Sequence, residues 1–418
     1  LKRISLFLLL LCGVIFPQQP AGDFLLSSVY LLPSGNVYKV YFAYRLPYNR
    51  LVFEKDNSVY KAEYSIGLEV FDSTGNFVIR NSGSKKLTVS DYESTNSKYI
   101  YTEGIVELPV NKGSYKFLPI LTDIKSGDEI KLKEISINTS DYSGGKYLEP
   151  IVTDSLSVPC DGIISYTLTN FEGNIPFSEF QYNIIIPVAD TAINKIYVTI
   201  AGSADTVFSG YADKSEIYGV GFKECDNKII IQKDTSVKAT KNFLIPGFNS
   251  RLEPGELKIS ISDSSKPKAD KEFKRAVVWY NKPKSLNNIE FAVKALKYIG
   301  ENSAVRDINK LSEDKRQKAL FDFWKKYDPN PATAFNQLMY EFYQRIDYCA
   351  VNFSTIDGKN GVDTDRGKIL IQLGKPRHIE RAYNEYGKIV ETWVYEKPAR
   401  KFIFVDQKGT GDFSLING

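Results

Sequence analysis

The chain predicts a multidomain, mainly β protein in which two N-terminal immunoglobulin-like β-sandwiches precede a small α+β domain of about three helices on an antiparallel meander. Apolar residues alternate with period two over the first two thirds of the chain. The period turns helical after Pro283, and strand signals return near Ile369. At 418 residues, 43% hydrophobic and 25% charged, the chain is long enough for several cores.

The first sandwich is expected over residues 23–140. Tyr38, Val40, Phe42 and Tyr44 alternate with Lys39, Tyr41, Ala43 and Arg45, and Tyr64, Ile66, Leu68 and Val70 repeat the pattern. Turn clusters at Ser34-Gly35-Asn36, Ser73-Thr74-Gly75-Asn76, Lys112-Gly113 and Ser126-Gly127-Asp128 separate about seven strands. A linker composition at Asp141–Lys146 leads to the second sandwich, expected over residues 147–281. Its strand signals are Ile163–Leu168, Tyr182–Val188, Ile196–Ile200, Ile229–Ile231 and Leu257–Ile261.

The α+β domain is expected over residues 285–418. Asn288 starts a helix that Gly300 ends, and a second begins near Ser312 and stops at Asp328-Pro329. In the third, Phe335, Leu338, Met339, Phe342, Ile346 and Cys349 share one stripe. Strands are then expected at Ile369–Leu373, Ile389–Tyr395, Phe402–Val405 and Phe413–Ile416. Trp393, on the face shared by Ile389, Glu391 and Tyr395, should meet Phe342 and Ile346.

The N-terminus reads as a secretory signal over residues 1–22, with Lys2 and Arg3 before the apolar run Ile4–Phe16. That run is too short to span a membrane comfortably, so the mature chain is expected to have no span. Cys12 follows Leu9, Leu10 and Leu11, which is not the small residue that lipidation favours. Cys160 and Cys225 could form a disulfide in an oxidising compartment, or these and Cys349 could be three separate buried thiols. With 54 basic and 50 acidic residues, the net charge of +4 is too small and dispersed to argue for nucleic acid.

Gly361-Val362-Asp363-Thr364-Asp365-Arg366-Gly367, running into Leu373-Gly374-Lys375-Pro376, resembles the signature of the bacterial GWxTD-domain family. Phe323-Trp324, Asp328-Pro329-Asn330-Pro331, Glu341–Ile346, Glu391-Thr392-Trp393 and Phe402–Asp406 follow the family's order from about Ser285 onward. Val362 stands where the family's Trp belongs. The resemblance implies a cell-envelope protein and supplies no reaction.

An inventory of reactive residues points away from enzyme chemistry. A single histidine, His378, excludes a histidine-based zinc site. A nucleophilic pair of His378 with Cys349 is formally possible, yet an apolar helix stripe would hold that cysteine as a thiol. No P-loop, dinucleotide fingerprint or GxSxG elbow is present, and no cofactor is expected. Asp357, Asn360, Asp363 and Asp365 could wrap calcium, but the loop lacks an EF-hand pattern, and turn hydrogen bonds explain it better.

The expected function is non-catalytic: an exported protein, periplasmic or associated with the outer membrane or cell surface, whose sandwiches present the C-terminal domain to an envelope protein or glycan. The expected contact residues are Asp363, Thr364, Asp365, Arg366, Gly374, Lys375 and Pro376, because loops on a rigid small domain commonly carry recognition. The alternative is a carboxylate-dependent hydrolase acting on envelope or exported glycans.

Overall fold

The computed structural model describes residues 25–139, 146–160, 162–203, 205–263 and 269–417. The expected signal at 1–22 and most of the linker at 141–146 lie outside them. Among the described residues the first unit contains β1 (Leu26–Ser34), β2 (Val37–Pro47), β3 (Glu54–Asp56), β4 (Val59–Asp72), β5 (Phe77–Val89), β6 (Tyr101–Val110), β7 (Ser114–Asp123), β8 (Glu129–Lys131) and β9 (Ile135–Asn138). One sheet has the order β1-β2-β6. The other runs β3-β4-β7-β8, with β5 also on β4 and β9 also on β7. Val40, Phe42 and Tyr44 of β2 pack against Tyr64, Ile66 and Leu68 of β4 to form the core between them.

The opposite face of β2 is also buried. Tyr30, Leu32, Tyr41 and Ala43 share a second core with Tyr218, Val220, Phe222 and Ile231 of the middle unit. The Phe222 ring centroid lies 4.8 Å from that of Tyr30 and 5.2 Å from that of Tyr41. Alternation predicts half-buried strands because it reports only one covered face. Polar ties reinforce the contact, since the Glu224 carboxylate accepts from the Ile105 backbone N–H at 2.8 Å and the Tyr30 hydroxyl donates to Asn170 Oδ1 at 2.9 Å.

The middle unit differs from a plain pair of sheets. Its strands are β10 (Ile151–Cys160), β11 (Ile163–Leu168), β12 (Ile175–Pro176), β13 (Tyr182–Val188), β14 (Ile196–Gly202), β15 (Thr206–Ala212), β16 (Ser215–Cys225), β17 (Lys228–Asp234), β18 (Thr240–Ile245), β19 (Gly255–Ser262) and β20 (Lys271–Val278). Six of them close into a ring, β10-β11-β17-β16-β18-β13. Closure follows from long strands that change partner along their length. β16 pairs with β18 through Ser215–Tyr218 and with β17 through Gly219–Cys225, and β10 pairs with β13 through Ile151–Asp154 and with β11 at Thr153 and Ser157–Cys160, on either side of a register shift. Cys160 and Cys225, at the ends of β10 and β16, are joined by a disulfide. The remaining strands form the sheet β12-β20-β19-β14-β15, from which Ile196, Val198, Ile200 and Ile259 share a core with Ile184, Ile186 and Phe243 of the ring.

The C-terminal region has more helix than its periodicity predicts. Its α-helices are α1 (Ile289–Ala295), α2 (Asn302–Asn309), α3 (Glu313–Lys325), α4 (Gln337–Asn352) and α5 (Asp365–Leu373). Asn288 and Asn336 cap α1 and α4 by accepting from Phe291 N at 3.0 Å and Met339 N at 2.9 Å. Gly300, at φ +83°, ends the 3-10 turn Leu296–Ile299 that continues α1. The expected strand at Ile369–Leu373 is corrected to helix α5, because a Thr364 cap outweighs the β-branched residues. The sheet instead begins one element later, with β21 (His378–Tyr383), β22 (Ile389–Glu396), β23 (Ala399–Asp406) and β24 (Phe413–Asn417) in sequential antiparallel order.

This region is packed onto the middle unit. Phe177 lies 5.2 Å from both Trp279 and Phe335, between ring centroids, and the Ala334 N–H donates to the Ser250 carbonyl at 2.7 Å. No described helix is long and apolar enough to cross a membrane.

Candidate functional site

The Gly361–Arg366 segment is built as a helix entrance. Gly361–Asp363 form a 3-10 turn, and Thr364 caps α5. The Thr364 hydroxyl donates to the Gly361 carbonyl at 2.7 Å and accepts from Gly367 N at 3.1 Å, so one fully buried side chain ties turn to helix. Both glycines are required by close approach. A Cβ on Gly361 would sit 1.9 Å from the Cys349 carbonyl oxygen, and one on Gly367 would sit 2.0 Å from that of Gly361. Val362 is buried in the core with Trp393 and Phe342.

Arg366, on the first turn of α5, points inward. Its Nη1 donates to Glu391 Oε2 at 3.1 Å and its Nη2 to the Gly411 carbonyl at 3.1 Å. The guanidinium lies 3.9 Å from the Phe413 ring centroid and 4.7 Å from that of Phe353, so its apolar faces are covered, while Nη1 and Nη2 are bonded and Nε is buried without a hydrogen-bond partner among the described residues. Glu391 accepts further from Arg381, whose Nε is at 3.1 Å, and from the Trp393 indole N–H at 3.2 Å. Burial raises the Glu391 carboxyl, but the bonds and charges of Arg381 and Arg366 outweigh it and hold it below the ordinary glutamate range.

The other expected contact residues are also engaged. Asp363 accepts from Lys297 Nζ at 3.0 Å and from the Tyr298 hydroxyl at 2.6 Å. Asp365 accepts from Leu415 N and from Lys368 Nζ, each at 3.1 Å. Burial raises both carboxyls, and these donors more than reverse it, leaving both lowered. The Gly374 carbonyl accepts from the Tyr395 hydroxyl at 2.8 Å, Lys375 Nζ lies 5.3 Å from the Tyr348 ring centroid, and Pro376 is half-buried before β21.

Of the calcium candidates, Asp357 is bonded by the Thr355 hydroxyl, and Asn360 Oδ1 accepts from Val362 N at 3.2 Å. Each of the four therefore serves a different local contact. Among the described residues no group of three or more His, Cys, Asp or Glu side chains could hold a metal ion. Cys349 is buried, which pushes its thiol up to about 12, and its Sγ faces the Gly367 carbonyl at 3.6 Å. His378 is exposed on β21 with Nε2 3.6 Å from Glu380, so His378 and Cys349 do not form a pair.

Sequence reasoning missed Glu391 and Arg381. The available signal was a glutamate on the same strand face as Ile389, Trp393 and Tyr395, a charge at a core position that requires a cation. It also missed β21, all six residues of which are exposed and which, among the described residues, pairs on one side only, with β22.

No curated protein sequence matches the chain. Among solved structures, the C-terminal domain of the Streptococcus pyogenes antigen I/II-family protein AspA is 7% identical with a TM-score of 0.16, covering 61% of this chain and 100% of that one. The C-terminal domain of the Streptococcus agalactiae AgI/II polypeptide BspA is 8% identical with a TM-score of 0.15, covering 60% and 97%. Similarities this low carry no argument. Residues 261–415, from inside β19 through β24, match the family model of the GWxTD domain, and the chain carries a GWxTD domain there.

Proposed function

We propose that this is an exported envelope protein without catalytic activity, whose β-rich units hold the GWxTD domain in a fixed orientation and present its β21 edge and the Gly374–Pro376 turn to an envelope protein. The observation that carries the reading is the contrast between the two parts of this domain. The Gly361–Arg366 segment is consumed by internal bonds, whereas β21 leaves one backbone edge unpaired and exposes Ile379, Tyr383 and the adjoining Tyr386 at 50%, 75% and 76%. An extended partner segment adding to such an edge gains main-chain hydrogen bonds and side-chain contacts together.

The disulfide Cys160–Cys225 supports a periplasmic or surface location, since disulfides persist in oxidising compartments. The first unit's two sheets support an immunoglobulin-like reading of that part. A hydrolase gains no support from Asp363 and Asp365, because a general acid needs a raised carboxyl pKa and both are lowered.

The Asn384 N–H bonds inward to the Lys388 carbonyl at 2.9 Å in the β21–β22 register, so strand alternation turns the Ile379 N–H outward. A photo-crosslinker at Tyr383 in intact cells should capture a discrete protein, and Ile379→Pro, which removes an outward donor, should reduce that adduct without lowering the melting temperature. No adduct at Tyr383, or an adduct unaffected by a folded Ile379→Pro protein, would contradict the proposal.

A further inference from the structure

Strand β21 is self-complementary about Arg381. Ile379, Arg381 and Tyr383 turn their backbone donors and acceptors away from β22, and their side chains share the face of their β22 partners Trp393, Glu391 and Ile389. Two β21 strands laid antiparallel about a two-fold axis at Arg381 bring Ile379 of each copy opposite Tyr383 of the other. The outward backbone groups of all three residues then bond across the axis, and two apolar side chains that are exposed in the single chain cover each other twice.

Charge agrees with the same register. At each end of the paired strands Arg377 falls beside the exposed Glu385 of the second copy. Arg377 meets Glu396 in its own chain only at 3.6 Å, with 74% and 68% of the two side chains exposed, so water screens that pair and a second carboxylate adds to it. At the axis the two Arg381 side chains approach, each bound to its own Glu391 carboxylate, which lowers the cost of bringing them together. Neighbouring registers lack this match. An axis at Glu380 sets that carboxylate against its own copy, one at Ala382 sets Ile379 against Glu385, and one at Ile379 sets Arg377 against Arg381. An axis at Tyr383 leaves Ile379 opposite the turn at Gly387.

We propose that the envelope protein received by the β21 edge is a second copy of this chain, in a two-fold dimer whose sheet runs continuously through both GWxTD domains. The inference rests on the reading of that edge as a docking site and adds the identity of the partner. An edge of six residues is short, so the association is reversible and depends on concentration.

Sedimentation equilibrium of the full chain over about 1–300 μM should show monomer and dimer in exchange. Ile379→Pro, at an unchanged melting temperature, should weaken the dimer by about tenfold or more. Arg377→Glu and Glu385→Arg should each weaken it by about threefold or more, and the variant carrying both should regain most of the loss, because the charges are exchanged rather than removed. The register is read by mixing Glu380→Cys with Ala382→Cys, positions that face each other across the axis at about 4.5 Å between Cα atoms, so the mixture should form disulfide-linked dimer faster than either variant alone. A monomer throughout, a dimer indifferent to a folded Ile379→Pro, charge changes without effect or without mutual rescue, or a mixture that crosslinks no faster than its components would each overturn the proposal. A Tyr383 photo-adduct to a different protein, with the purified chain monomeric, would overturn the dimer and leave the edge reading standing, whereas no adduct at all would remove both.

Discussion

Arg366 and Glu391 form an ion pair at 3.1 Å with only 8% and 4% of their side chains exposed, and it joins the first turn of α5 to the centre of the C-terminal sheet. Arg381 and Trp393 converge on the same carboxylate. A charge pair this deep gains little over an apolar replacement, but removing Glu391 leaves Arg366 buried without its carboxylate. The Gly361–Arg366 segment therefore acts as the clasp between helix layer and sheet.

Acidification should loosen this clasp. The folded Glu391 carboxyl lies below its ordinary value of 4.5, so its stabilising contribution is complete above that value and is lost as pH falls through the lower folded value. The melting-temperature difference between the parent and Glu391→Gln should be largest near neutrality and shrink below about pH 4.5. A difference that grew on acidification would show that the carboxylate is not held by its cations.

Val362→Trp should destabilise the C-terminal domain by about 1–3 kcal/mol, because Val362 is 1% exposed in a packed core and an indole exceeds its space. Urea unfolding gives the value. An unchanged or raised midpoint would show that the core accommodates the ring that the family signature carries at this position.

Trp393→Ala should cost about 3–5 kcal/mol through lost burial and a cavity, since Trp393 is 1% exposed and its ring centroid lies 5.0 Å from Phe404 and 5.7 Å from Phe353. Urea unfolding followed by fluorescence of the remaining tryptophans would measure it. A cost below about 1 kcal/mol would contradict the packing.

Cys349 should resist thiol reagents in the native protein and react on unfolding, as its burial and raised pKa dictate. Mass mapping after brief alkylation tests this at the residue level. Rapid native modification would place the thiol at the surface.

Much of the architecture was readable because period two and period 3.6 each mark one buried face. The stripe of Phe342, Ile346 and Cys349 and the Trp393 face of β22 are such cases, and all four residues lie in one core. What periodicity could not show was a second burial partner, as for Tyr41 and Ala43, or partner exchange along β10 and β16, which depends on pairing between distant segments. In α5, Ile369-Leu370-Ile371 favours a strand locally, and the decisive information was the Thr364 hydroxyl bonding Gly367 N. The charged centre was half readable: Arg366 stood in a recognisable motif, whereas Glu391 acquires its meaning only when β22 meets α5.

The most direct test of the clasp is a double-mutant cycle on Arg366→Met and Glu391→Leu, measured by equilibrium urea unfolding. Glu391→Leu should cost about 3–5 kcal/mol by stranding the buried Arg366, and Arg366→Met should cost less, because Arg381 still holds Glu391. The double variant should be more stable than the sum of the single costs implies by at least about 1.5 kcal/mol, whereas costs that add to within about 0.5 kcal/mol would contradict the ion pair as the link between α5 and the sheet.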